Sequence, residues 1–155
     1  MITLNLITIC CSERRSIFGV IKNNQVYLNK YGLIAHHTWL ETIDKRDGIE
    51  LGEFIVMPNH IHGILIFSEE FYEQGIQFRK RGVCHTPLRS PSRNLGAIIR
   101  GYKSSVTSQL RSELGDNIWQ RNYYEHIIRN EQSYEQLSNY IVNNPFTWEQ
   151  DYFFE

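Results

Sequence analysis

Apolar and β-branched residues dominate from Ile2 to Cys10, which predicts a strand, and Ser16–Leu28 with Asn23-Asn24 at its middle reads as a hairpin. Across Lys30–Lys45, Leu33, Leu40 and Ile43 recur at helical spacing with His36 or His37 between them, so a helix is expected there with those three residues as its apolar stripe. Leu51–Met57 and Ile61–Phe67 are two apolar runs parted only by Pro58-Asn59. Turn chemistry that short allows antiparallel pairing and no parallel crossover, and it predicts two neighbouring strands near the centre of a sheet.

Ser68–Arg93 carries Gly75, Gly82, Pro87 and Pro91 among scattered Arg and Ser, and reads as a long loop. Asn94 can cap a helix to about Glu113, with Leu95, Ile98, Ile99, Tyr102, Val106 and Leu110 on its apolar side and Gly115-Asp116-Asn117 at its end. Ile118–Ile128 reads as a further strand. Asn130 or Glu131 opens a last helix to about Asn143, with Tyr134, Leu137 and Ile141 as its stripe and Pro145 as its stop. Strand, helix, strand, strand, helix, strand, helix is the order of an α+β fold. A ferredoxin-like or RRM-like antiparallel sheet with helices packed on one face is expected. At 155 residues, 41% of them hydrophobic, the chain 1–155 is read as a single domain, with 68–93 a basic loop within it.

Charge changes this picture more by its distribution than by its sum of -1. Between Gln74 and Ser112 there is no acidic residue, yet Arg79, Lys80, Arg81, Arg89, Arg93, Arg100, Lys103 and Arg111 all lie there. That stretch is +8, while the remainder, with eight basic against seventeen acidic residues, is -9. A polyanionic partner is the natural inference. No apolar run approaches the roughly 20 residues that cross a bilayer, and Met1–Cys11 has neither a basic leader nor a small-residue cleavage site, so the expected location is cytoplasmic and no membrane is involved. Cys10, Cys11 and Cys84 have neither a CxxC spacing nor an even count and are read as reduced thiols.

The sharpest local feature is Met57-Pro58-Asn59-His60-Ile61-His62-Gly63-Ile64-Leu65-Ile66. Strand alternation puts both imidazoles on one face, close enough to share a cation, and turns Ile61 to the core. Gly63 beside them is read as room for a ligand backbone. A bare His-x-His pair is more often two strand histidines than a metal site, and two ligands leave a third to be found.

Val56-Met57-Pro58-Asn59-His60-Ile61-His62-Gly63 resembles the histidine–hydrophobic–histidine (HUH) signature of the IS200-like and REP-associated tyrosine transposases. Ile7-Thr8-Ile9-Cys10, Trp119-Gln120-Arg121-Asn122-Tyr123-Tyr124-Glu125-His126-Ile127-Ile128-Arg129 and Tyr140-Ile141-Val142-Asn143-Asn144-Pro145 agree with it in the same order. The resemblance implies a metal-dependent endonuclease and strand transferase acting on single-stranded DNA with hairpin ends. It also implies a homodimer with helices of one subunit completing the other's site, completion within one chain being the alternative, and a nucleophilic tyrosine on the last helix. The residue on that position is Tyr140, with Tyr123 as second choice. Asn144, four residues on, would share a helix face with Tyr140 and offer a third, oxygen ligand beside His60 and His62; Gln136 is the fallback. Mixed nitrogen and oxygen ligands suit Mg²⁺ or Mn²⁺.

Arg79, Lys80, Arg81, Arg93, Arg100 and Lys103 are the candidate phosphate contacts, and Trp119 and Tyr102 could stack on bases. His126 is read as a strand histidine or a group near the scissile phosphate; His36, His37 and His85 have no assigned role. Two rivals remain: a nucleic-acid-binding module without catalysis, and a small metallohydrolase built on His60 and His62 that works without tyrosine.

Overall fold

The computed structural model describes residues 2–69, 71 and 95–148. Four strands, β1 (Thr3–Cys10), β4 (Ile49–Val56), β5 (His60–Phe67) and β6 (Tyr124–Ile128), form one antiparallel sheet in the order β4-β5-β1-β6. With helices α1 (Lys30–Asp44) and α2 (Leu95–Leu114) between them, this is the ferredoxin-like βαββαβ arrangement expected from the sequence. A helix α3 (Glu131–Val142) follows, and a hairpin of β2 (Gly19–Lys22) and β3 (Gln25–Leu28) is inserted before α1. Asn23 and Asn24, both left-handed at φ 52° and 60°, make the hairpin's two-residue turn, a geometry asparagine tolerates better than most residues.

The sheet has two differently covered faces. Ile7, Ile9, Ile61, Leu65 and Phe67 pack under α1 and α2 with Trp39, Ile98, Ile99, Tyr102 and Val106 in the main core. Leu4, Leu6, Ile55, Ile64, Ile66 and Ile128 lie on the opposite side, where Tyr134, Leu137 and Ile141 of α3 cover them in a second cluster. The expected stripe of α3 is therefore the one it buries. That of α1 is buried only at Ile43: Leu33 and Leu40 are exposed, and the helix turns Ala35, Thr38, Trp39 and Thr42 inward with Ile43. A wholly buried indole removes more apolar area from water than either leucine would, and it sets the rotation of the helix. Among the described residues no helix is long and apolar enough to cross a membrane.

Three local features aim the site. Asn29 caps α1, its side chain accepting from the backbone of Tyr31 and Gly32 at 2.9 Å each, and Asn130 caps α3 by accepting from Ser133 at 2.7 Å. The predicted β4–β5 pair forms, but β4 is the sheet edge rather than a central strand. Its register shifts between Leu51 and Phe54, a bulge after which Ile55 stands opposite His62 and Phe54 opposite Gly63. The strand expected over Ile118–Ile128 is shorter, Tyr124–Ile128, preceded by an isolated bridge between Cys11 and Trp119.

Candidate metal and nucleophile site

β5 begins at His60, directly after the Pro58-Asn59 turn, whose backbone is held on both sides. The Cys11 N–H donates to the Asn59 carbonyl at 2.9 Å and the Phe18 N–H to the Pro58 carbonyl at 3.0 Å. Alternation then places His60, His62, Ile64 and Ile66 on the face covered by α3, as the sequence predicts for the two imidazoles. Their ring centroids are 4.4 Å apart at 70°, and both are buried, His60 wholly and His62 to within 2%. Burial, with the His60 ring beside it as a smaller cause, holds the His62 imidazole well below its ordinary titration range. That ring is therefore neutral at pH 7 and carries a lone pair.

Each imidazole has a partner at Nδ1. The Asn59 side-chain oxygen lies 2.7 Å from His60 Nδ1, and Thr8 Oγ1 lies 2.8 Å from His62 Nδ1. Thr8 stands directly across from His62 in the β1–β5 ladder, and Tyr124 stands directly across from Thr8 in the β1–β6 ladder. Tyr124 therefore shares the histidine face, with its side chain 56% exposed. Tyr123 points the other way and packs against the main core, away from both imidazoles.

From α3, Tyr140 reaches the same place. Its ring meets that of His62 at 5.3 Å between centroids and 60°, while the side chain stays 38% exposed. Asn144, in the turn after α3, is wholly buried, whereas Gln136 is exposed. Trp148 stacks on His60 at 6.0 Å and 18°. Thr8, Asn59 and Trp148 join the site without having been given a role from the sequence, and Tyr124 lies on the same face. For Thr8 and Tyr124 the missing signal was strand register; for Asn59, its place immediately before the first histidine was the available cue.

The donor set fits a divalent cation: two buried imidazoles with ring centroids 4.4 Å apart, each hydrogen-bonded at Nδ1 so that Nε2 can present a lone pair, and the buried amide of Asn144, four residues after Tyr140. Among the described residues no cluster of three His, Cys, Asp or Glu side chains makes a metal site by itself. Gly63 plays a different part from the one expected. It faces away from the histidines, and a Cβ on it would sit 3.0 Å from Cζ2 of Trp39, so its role is to seat the indole.

The polyanion candidates separate. Arg79, Lys80, Arg81 and Arg93 lie outside the described residues, as do Arg89, His85 and Cys84. Arg100 is exposed on α2. Lys103 donates to the carbonyl of Gln120 at 2.9 Å and to that of Asn122 at 2.5 Å, so its ammonium ties the segment before β6 to α2. Trp119 donates from its indole to the Lys103 carbonyl at 3.2 Å and packs against Phe18 and Tyr102, with centroids at 5.5 and 5.8 Å. Tyr102 is wholly buried and donates to the Ala35 carbonyl at 2.9 Å. His126 is exposed on the histidine face, across from Leu6.

No family model matches the chain. An uncharacterized protein of Haemophilus influenzae is 41% identical over 156 residues, covering 94% of this chain and 81% of that protein. Among solved structures, a REP-associated tyrosine transposase bound to a REP hairpin superposes with a TM-score of 0.62 at 20% identity, over 94% of this chain and 67% of that one. A putative transposase from Deinococcus radiodurans gives 0.44 at 17% identity, over 91% and 90% of the two chains, and adds nothing to the fold assignment.

Proposed function

For a chain that belongs to the same family as the Haemophilus influenzae protein and has the fold of a REP-associated tyrosine transposase, we propose a transposase that nicks and rejoins single-stranded DNA through Tyr140. The observation that carries this reading is the meeting of Tyr140 with His62 within one chain, the phenol half in solvent and the imidazole buried. His60, His62 and Asn144 would hold a divalent cation, Mg²⁺ or Mn²⁺, which when bound polarises a phosphate and offsets the charge that builds on it.

The chain's own groups supply the rest. A phenol with a pKa ordinarily near 10 is a weak nucleophile at neutral pH, so its attack depends on position. Tyr140 gains that position from α3, whose stripe is locked on the sheet by Ile141, while Tyr140 itself stays open to a strand lying over the histidine face. The phenol oxygen bonds to phosphorus as the bond to the 3′ oxygen breaks. The phenol proton leaves to water, the 3′ oxygen takes one up, and a 5′-phosphotyrosine remains. Attack by a 3′-hydroxyl on that ester reverses the step and restores the phenol, so rejoining needs no ATP.

Because the protein of the TM-score 0.62 neighbour is bound to a hairpin, a single strand with hairpin ends is the substrate proposed here. Arg79, Lys80, Arg81 and Arg93, with Arg100, are the proposed phosphate contacts. Lys103 and Trp119, both engaged within the fold, would act on DNA only indirectly by shaping the segment before β6. A homodimer remains part of the proposal as a DNA-level assembly. The site itself brings the tyrosine and both histidines together in a single chain.

The test is incubation with a library of hairpin-bearing single strands and Mn²⁺, followed by denaturing gels and mass mapping of the DNA-linked peptide. The expected adduct maps to Tyr140 and disappears with EDTA. No adduct with any strand, or an adduct on another residue, would sink the proposal. A recognition module without catalysis would bind the same strands equally well after chelation and with Tyr140→Phe.

A further inference from the structure

Resting on the reading of His60 and His62 as ligands, we infer that Asn59 and Thr8 are the positioning residues of the site: each holds one imidazole by Nδ1 so that Nε2 faces a shared cation. Asn59 is 1% exposed and its side-chain oxygen lies 2.7 Å from His60 Nδ1. An amide oxygen only accepts, so His60 carries its proton on Nδ1 and presents the lone pair of Nε2. The amide is oriented by its own surroundings. Its nitrogen points to the Arg14 carbonyl at 3.4 Å, and its backbone carbonyl accepts from Cys11 in the turn opened by Pro58.

Thr8 acts differently. Its hydroxyl, on a residue 5% exposed and paired across the ladder with His62, lies 2.8 Å from Nδ1 and can either donate or accept. His62 can therefore hold its proton on either nitrogen in the absence of a cation, and a cation at Nε2 selects the form in which Thr8 accepts. One ligand is preset by an amide, and the other is set by a hydroxyl that turns over when the cation binds. Partners of this kind fix ring orientation and tautomer in metal sites, and their loss typically weakens metal binding about 10–100-fold. A merely structural pair of buried hydrogen bonds would hold the same rings in the same way, but its loss in a variant that still folds would leave Mn²⁺ affinity unchanged.

The test uses the full chain, with metal-free protein carrying ¹⁵N-labelled histidine and Mn²⁺ titrated into each variant. His60 is expected as the Nδ1–H tautomer before metal is added. Asn59→Leu and Thr8→Val are each expected to weaken Mn²⁺ binding about 10–100-fold, while Asn59→Asp and Thr8→Ser, which keep the acceptor, restore it. Amide spectra identify any variant that fails to fold, and for such a site the conservative replacement still carries the tautomer reading. Overturning results are a wild-type His60 protonated on Nε2, or leucine and valine variants that hold Mn²⁺ as tightly as the parent. Metal affinities that follow this pattern in a protein forming no DNA adduct would strike the transposase chemistry alone and leave the positioning roles standing.

Discussion

The ring of Tyr140 meets the ring of His62 edge-on at 5.3 Å, joining the last helix to the second strand of the central pair. Two packing surfaces make that contact. β5 buries His62 by pairing with β1 and β4, and α3 is seated by Ile141, which is wholly buried one residue after Tyr140. The nucleophile candidate is thus held by its neighbour's burial while it stays partly open to solvent itself, so chemistry and stability at its hydroxyl should separate.

Tyr140→Phe is expected to abolish covalent DNA attachment while leaving stability within about 0.5 kcal/mol of the parent, as for other exposed positions. Adduct formation on denaturing gels and urea midpoints check the two halves. A residual adduct of parental yield would move the nucleophile elsewhere, with Tyr124 the first residue to test, since it shares the histidine face.

Strand alternation was enough to place both imidazoles on one face and Ile61 in the core, and helical spacing was enough to find the stripe of α3 and leave Tyr140 beside it. Neither periodicity carries register. That Thr8 stands across from His62, and Tyr124 across from Thr8, depends on which residues of β1 pair with β5 and β6, and nothing local to Thr8 encodes it. The misread stripe of α1 has a related cause. Leu33 and Leu40 were as apolar as the residues that won, but Trp39 fills the space over Gly63 that no leucine on the other face could reach.

Gly63→Ala is expected to destabilise the fold by about 1–3 kcal/mol, because the new methyl would meet Cζ2 of Trp39 at 3.0 Å in a packed core. Metal affinity should be unchanged, since the added group lies on the side of the sheet away from His60 and His62. Chemical denaturation and Mn²⁺ titration of the same sample check this, and a large loss of affinity with little loss of stability would restore the idea of a ligand-facing glycine.

Trp148 offers a direct readout of the cation. Of the three tryptophans, Trp39 and Trp119 pack in the main core, while Trp148 stacks on His60 at 6.0 Å. Paramagnetic Mn²⁺ should therefore quench mainly Trp148 emission, reversibly with EDTA. Trp148→Phe should remove most of the response without removing binding, and His60→Ala should remove both. Quenching of equal size in Trp148→Phe would place the bound ion elsewhere.

Arg100 and Lys103 sit one turn apart on α2 but should behave as different kinds of residue. Lys103 spends two of its three donors on the carbonyls of Gln120 and Asn122, so Lys103→Met strands both and should cost about 1.5–3 kcal/mol. Arg100 is exposed, and if it neutralises one phosphate, Arg100→Gln should leave stability within about 0.5 kcal/mol and lower the salt slope of single-strand binding by about 0.7. Affinities over a range of salt concentrations, with urea midpoints for each variant, separate the two. A Lys103→Met protein as stable as the parent but with the reduced slope would show that its ammonium leaves the two carbonyls for DNA.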